Sequence, residues 1–215
     1  MTELTDYTFQ HDNMPPKKII ILLHGYGADG KDLISLAPIL GATLPHTFFF
    51  APNAPQPCEM APMGRQWFSL LDRSDDIMAA QAQSVSPVLA AYIEEKCHIH
   101  NLQMKDVGVI GFSQGTMMAL YTMPRMAKAC AGVVAFSGRL LDADKLQQAA
   151  KSSFPVCAIH GTADDVVPFE SLSHMENGMK TAGFNIETYQ RPGLGHGIDE
   201  KGLEIAGAFL NRCLQ

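Results

Sequence analysis

Gly111-Phe112-Ser113-Gln114-Gly115 places a serine between two glycines, directly after the apolar run Val107 to Ile110 and before a helix-compatible stretch. That context suits a G-x-S-x-G nucleophile elbow, a sharp strand-to-helix turn that lifts the serine hydroxyl clear of the backbone. A side chain at 111 or 115 would collide within so tight a turn, and glycine removes both collisions. The competing reading makes Ser113 an ordinary cap for the helix that starts at Gln114. The strand before it and the helix after it favour the nucleophile.

A serine hydroxyl needs a base, and the chain offers eight histidines. On an elbow of this kind the acid and then the histidine follow the serine in chain order. His11, His24, His46, His98 and His100 precede Ser113, and His160 ends a predicted strand upstream of the candidate acids. His174 falls in a helix-like stretch and reads as a solvated or packed residue. His196 lies in Gly193-Leu194-Gly195-His196-Gly197, a flexible loop from which a side chain can reach across strand ends.

The acid must come from a loop between serine and histidine, and His160-Gly161-Thr162-Ala163-Asp164-Asp165-Val166-Val167-Pro168 supplies two neighbouring carboxylates. Asp164 is assigned to fix the imidazole tautomer and stabilise the imidazolium that forms when serine loses its proton. Asp165 fits by spacing as well, and is read as a solvated loop acid or a cap for the helix near Phe169.

A glycine-rich segment, His24-Gly25-Tyr26-Gly27-Ala28-Asp29-Gly30, follows the first core strand. It lacks the G-K-[S/T] ending of a phosphate-binding loop, and the chain has no dinucleotide fingerprint. Opposite a nucleophilic serine, its backbone would give one amide donor to an oxyanion and the residue after the serine the other. The candidates are Tyr26 and Gln114. His24, His160 and His196 show no metal-ligand spacing around Asp164, so no metal and no cofactor are expected.

These residues need a frame. Nearly continuous apolar runs at Ile19 to Leu23, Thr47 to Ala51, Val107 to Ile110, Gly132 to Phe136, Val156 to Ile159 and Ile186 to Gln190 read as strands covered on both faces. Helices are expected near Asp32 to Ala42, Asp75 to His98, Gln114 to Ala127, Ala143 to Ala149, Phe169 to Ala182 and Asp199 to Leu214. Pro87 kinks the second of these or restarts it from Ser86, the kink being favoured. The N-terminal stretch to Pro16 adds a short edge strand. The alternation predicts an α/β fold, a mainly parallel central sheet with helices on both faces, in one domain over residues 1–215.

Bulk properties agree: 215 residues, 47% hydrophobic and 18% charged, suffice for a sizeable core in one domain. A net charge of −6, with no basic run longer than Lys17-Lys18, argues against nucleic acid. Five scattered cysteines, with no C-x-x-C pair, suggest neither a disulfide framework nor zinc and fit a reducing cytoplasm. The first eighteen residues carry no long apolar stretch, so neither a targeting segment nor an integral membrane span is expected.

Leu23-His24-Gly25-Tyr26-Gly27-Ala28-Asp29-Gly30, Ala51-Pro52, Trp67-Phe68, the Ser113 pentapeptide, His160-Gly161 with Asp164 and Val167-Pro168, and Gly195-His196 together resemble the phospholipase/carboxylesterase family of the α/β-hydrolase superfamily. That family includes carboxylesterases and acyl-protein thioesterases. The resemblance spans nearly the whole chain and implies a serine hydrolase of esters or thioesters, with Ser113, Asp164 and His196 as triad and Tyr26 and Gln114 as oxyanion donors. Its implied substrates are small-molecule esters or thioesters, acylated proteins or lysophospholipids, and it is compatible with a homodimer. Tyr26 stands where leucine is common, and Thr116 departs from a second glycine often found after the elbow, which bears on helix packing there.

Pro52 to Gln66 carries four prolines with Met60 and Met63 and ends at the single tryptophan. Such a loop serves as an apolar acyl groove or as cover for the sheet. The resemblance favours the groove for Trp67, and Phe68, Met63 and Val167 are further candidates for its wall.

Overall fold

The computed structural model describes residues 4–215. Seven strands form the central sheet: β1 (Asp6–Gln10), β2 (Lys18–Leu23), β3 (Thr47–Pro52), β6 (Val107–Phe112), β7 (Gly132–Phe136), β8 (Val156–Gly161) and β9 (Ile186–Arg191). Their spatial order is β1-β3-β2-β6-β7-β8-β9. Only β1 runs antiparallel, pairing with β3 at the edge, as the N-terminal stretch suggested. Between β3 and β6 in sequence, β4 (Gln56–Pro57) and β5 (Arg65–Gln66) make a separate two-stranded ribbon that the proline-rich sequence did not announce.

Alternate residues of each strand enter two different cores, which is why these strands are apolar without interruption. Ile19, Ile21, Leu23, Val107, Val109, Val133, Ala135, Val156 and Ala158 pack beneath α3 (Asp75–Ile99), α4 (Gln114–Thr122), α5 (Ala143–Ala149) and α6 (Glu170–Thr181). Ile20, Leu22, Phe49, Ile110, Val134, Phe136, Cys157 and Ile159 face α1 (Gly30–Ile34), α2 (Ala37–Gly41) and α7 (Glu200–Cys213). In α7, Leu203, Ala206 and Leu210 lie on the buried face while Glu200, Lys201, Glu204 and Asn211 are exposed.

Two expectations shift, and one pair of alternatives is decided. The helix expected over Asp32 to Ala42 is two short helices broken after Ile34, with Pro38 in the first turn of the second. The helix after Ser113 ends at Thr122, because Pro124 converts the next residues into a single 3-10 turn, Met123–Arg125. Pro87 lies inside α3, one continuous helix from Asp75 to Ile99, so no second helix starts there. Among the described residues, no helix is long and apolar enough to cross a membrane.

Candidate active site

The candidate side chains lie at the C-terminal edge of the sheet. Phe112, Phe136 and Ile159 are register partners on β6, β7 and β8, so Ser113, Ser137 and His160 follow at one level across three neighbouring strands. Ser113 has φ +54° and ψ −114°, a conformation seldom adopted by a residue with a side chain. Its amide is tied to the Phe136 carbonyl at 2.9 Å. Helix α4 starts at the next residue. Packing confirms the need for glycine: a Cβ on Gly115 would lie 1.9 Å from the Leu23 carbonyl oxygen, and one on Gly111 2.5 Å from the Thr116 nitrogen.

Thr116, a departure from the family pattern, is accommodated. Its buried hydroxyl lies 2.8 Å from both the Gly111 and Phe136 carbonyls and can donate to either. Space for it comes from Gly138 on the neighbouring strand's exit, where a Cβ would come within 2.4 Å of the Thr116 Cβ.

Asp164 and His196 meet as the sequence suggests. His196 Nδ1 is 2.8 Å from Asp164 Oδ2, while Asp164 Oδ1 accepts the amides of Val166 at 3.0 Å and Val167 at 2.8 Å. The Asp164 side chain has no exposed surface. Burial pushes its carboxyl toward the neutral form, but the His196 hydrogen bond and the Val167 and Val166 amides outweigh this and hold its pKa below the usual carboxylate range. A carboxylate on Nδ1 leaves Nε2 as the nitrogen able to take a proton. The His196 ring packs on Phe112, the residue before Ser113, with centroids 4.8 Å apart. No hydrogen bond joins Ser113 Oγ to His196 among the described residues, and such contacts commonly tighten when substrate enters.

The His196 loop is braced at both ends. Arg191, at the end of β9, pairs in bidentate fashion with Asp199, the N-cap of α7, and Asp199 also accepts the Gly202 amide at 2.8 Å. Between them, Ala163 N–H donates to the Leu194 carbonyl at 2.9 Å and Gly193 N–H to Thr162 Oγ1 at 2.9 Å, binding the histidine loop to the acid loop. Asp165 and His174 are both exposed, and the N-cap position of α6, Phe169, has no side-chain cap. Asp165 is therefore the solvated loop acid, not the cap.

The glycine-rich loop lies against the nucleophile: a Cβ on Gly25 would be 3.2 Å from the Ser113 Cβ. Among the described residues, the amides of Tyr26 and Gln114 form no hydrogen bond, whereas Gly27 N–H is occupied by the Arg65 carbonyl and Ala28 N–H by that of Gly25. Two free amides beside a strained serine are what an oxyanion needs. The Tyr26 side chain turns outward to Glu59 at 3.3 Å.

The groove expectation needs correction. Trp67 is 0% exposed and Phe68 1%, so neither offers surface to a ligand. Trp67 Nε1–H donates to the His24 carbonyl at 3.0 Å, and the Gln114 amide side chain spans the pair, accepting from Trp67 N–H and donating to the Phe68 carbonyl. His24 is also buried, with Nδ1 2.8 Å from the Gly25 carbonyl and Nε2 accepting the Ala54 amide at 2.9 Å. The Arg65 guanidinium holds the Ala54 and Pro55 carbonyls. The segment before Trp67 is thus a clamp on the loop carrying Tyr26. Val167 is buried, with Val166 exposed in its place, and Met63 stands 93% exposed beside a shallow cleft at Gly27 and Ala28. A larger cleft of about 550 Å³, lined by Arg139, Leu140, Pro168, Ser171 and His174 together with five carboxylates, Asp142 and those from α3, α5 and α6, opens next to the residues that follow β7 and Val167.

The supporting roles of the Gln114 side chain, Arg65, Gly138 and His160 carry no local sequence signal, because each depends on a partner more than 10 residues away or on a loop's closure. Among the described residues no group of three His, Cys, Asp or Glu side chains is arranged to hold a metal ion.

Comparison with known proteins gives the family. The model described as Phospholipase/Carboxylesterase matches residues 6–214. A crystal structure of esterase PE8 superposes with a TM-score of 0.94 at 36% identity, covering 99% of this chain and 100% of that one. Esterase YpfH of Escherichia coli (strain K12) is 23% identical over 200 residues, 93% of this chain and 84% of its own length. Acyl-protein thioesterase 1 homolog 1 of Dictyostelium discoideum is 26% identical over 204 residues, 91% of this chain and 90% of its own. With a family match that takes in the whole sheet and the serine turn, the chain belongs to the phospholipase/carboxylesterase family and is a carboxylic ester hydrolase on the α/β-hydrolase fold.

Proposed function

We propose that the protein, one α/β-hydrolase domain, cleaves carboxylic esters or thioesters through an acyl-enzyme on Ser113, with His196 as base and Asp164 as its orienting acid. The observation that carries this reading is the part-buried Asp164–His196 bond of 2.8 Å, on a loop braced beside a serine held at φ +54°. Ser113 Oγ attacks the acyl carbon while its proton passes to His196 Nε2. The negative charge that develops on the carbonyl oxygen falls to the amides of Tyr26 and Gln114. Collapse expels the alcohol or thiol, which takes the proton from His196. Water then attacks the acyl-enzyme with His196 again as base, and the acid leaves.

The cleft lined by Arg139, Leu140, Pro168 and Ser171, with five carboxylates also in its lining, is our candidate for substrate binding, since Gly138 packs against the Ser113 carbonyl oxygen and Pro168 follows the acid loop. Relatives named esterase and acyl-protein thioesterase support small-molecule esters and thioesters, with acylated proteins among the candidates. A fluorophosphonate probe tests the reading. It should label wild-type protein on Ser113 and leave Ser113→Ala unlabelled; labelling elsewhere, or unchanged ester hydrolysis by Ser113→Ala, rejects it.

A further inference from the structure

Asp164 is flanked by two histidines. His196 holds one side of Oδ2, and on the other side His160 Nε2 lies 3.2 Å from the same oxygen and 3.0 Å from the Val167 carbonyl. Both oxygens near that nitrogen are pure acceptors, so Nε2 carries a proton; its hydrogen bond goes to the Val167 carbonyl, and Asp164 Oδ2 lies beside it at 3.2 Å. The ring is 1% exposed, and Phe169 meets it edge-on with centroids 6.1 Å apart. The Asp164 side chain has no exposed surface either.

The two bonds close a ring around the acid. Asp164 Oδ1 takes the Val167 N–H while His160 takes the Val167 carbonyl, so residue 167 is gripped at both ends of its backbone. We propose that His160 is a positioning residue for the hydrolytic reaction. It fixes the Asp164 carboxylate in the plane that meets His196 Nδ1 and draws charge from the oxygen that both histidines share. The titratable groups facing it are Asp164 and, across that carboxylate, His196; β9 places the uncharged Gln190 at its level, and the residue before α6 is Phe169. This inference rests on the triad reading above.

Two substitutions separate positioning from packing. In His160→Leu the donor is gone, more negative charge is left against His196 Nδ1, and the imidazolium is favoured. The acid limb of kcat/KM, which reports deprotonation of the base, then moves to higher pH by about half a unit. The kcat should fall about tenfold with KM changed less than about twofold. His160→Gln presents an N–H near the position of Nε2 and should return the limb to its wild-type pH and the kcat to within about threefold. Circular dichroism and melting monitor the fold; if His160→Leu does not fold, His160→Asn, polar but too short to reach Val167, takes its place with the same expectation. An unmoved limb in the donor-less variant, or a Gln variant that behaves like it, overturns the proposal. Ser113→Ala assayed alongside tells this failure from that of the triad: full activity there rejects the triad, whereas loss there with a silent His160→Leu rejects only the positioning role.

Discussion

The indole Nε1–H of Trp67 donates to the carbonyl of His24 at 3.0 Å, 43 residues away in sequence, and both residues are fully buried. The tryptophan therefore props the loop that presents the Tyr26 amide and has no surface for an acyl chain. Trp67→Phe keeps most of the bulk but leaves the His24 carbonyl buried and unpaired, at a cost of about 1 to 3 kcal/mol in stability. Movement of the proposed oxyanion loop should lower kcat/KM about ten- to hundredfold, because small misplacements at a reaction centre are amplified. The loss should be equal for acetyl and octanoyl esters. Paired melting and kinetic measurements check this; a loss confined to the longer ester would restore Trp67 to a groove.

The same residue shows where sequence reading succeeds and where it stops. The elbow was legible because glycines at 111 and 115, an apolar strand and a helix stand next to one another in the chain. Order along the chain and the character of their loops singled out His196 and Asp164 as candidates, and the structure brings the two within 2.8 Å. The sheet was legible because its strands feed two cores and so stay apolar throughout. Trp67 was misplaced because an apolar aromatic after a proline-rich loop suits a groove wall and a clamp equally. What decides is the Gln114 side chain, which bonds Trp67 N–H and the Phe68 carbonyl across 47 and 46 residues. Gly138 was silent for a similar reason, since its partner Thr116 lies on another element.

The catalytic assignments separate cleanly by substitution. Ser113→Ala and His196→Ala should each reduce kcat by about a thousandfold or more with the fold intact, since the three residues act as a unit. Asp164→Asn should be nearly as damaging, whereas Asp165→Asn, exposed, should stay within about threefold. Steady-state kinetics on a chromogenic ester suffice. Equal losses at Asp164 and Asp165 would remove the assignment of the acid.

Gly138 and Thr116 should be energetically coupled. A methyl group at 138 would lie 2.4 Å from the Thr116 Cβ and 2.9 Å from the Ser113 carbonyl oxygen. Gly138→Ala should therefore destabilise the protein by about 1 to 3 kcal/mol and depress turnover through the displaced elbow. Adding Thr116→Gly removes the closer clash and should recover part of that loss, the Ser113 contact remaining. Urea melts of the single and double variants give the coupling directly. Additive effects would show that the two residues do not share this space.

Acid should weaken the clamp on the Tyr26 loop before it protonates Asp164. Burial dominates at His24 and, despite the opposing hydrogen bond to Gly25, lowers its pKa below the ordinary histidine value of about 6.5. With Nδ1–H on the Gly25 carbonyl and Nε2 accepting from Ala54, a second ring proton would point at the Ala54 N–H. Because the folded value is the lower one, the unfolded chain binds the proton more readily. The stability tied to neutral His24 is then present above about pH 6.5 and is lost as pH falls through the folded value. Asp164 is also lowered, but its stabilisation fades only below the ordinary carboxylate value of about 3.9, so the two windows do not overlap at their onsets. His24→Gln keeps an acceptor for the Ala54 amide and cannot titrate. It should be less stable than wild type by about 1 to 2 kcal/mol at pH 7.5, and the gap should narrow as pH falls to about 5, because only the wild type surrenders this contribution. Melting temperatures of both proteins across that range provide the test. A gap of constant size would mean that His24 does not take up a proton there, and that any loss of stability in mild acid arises elsewhere in the chain.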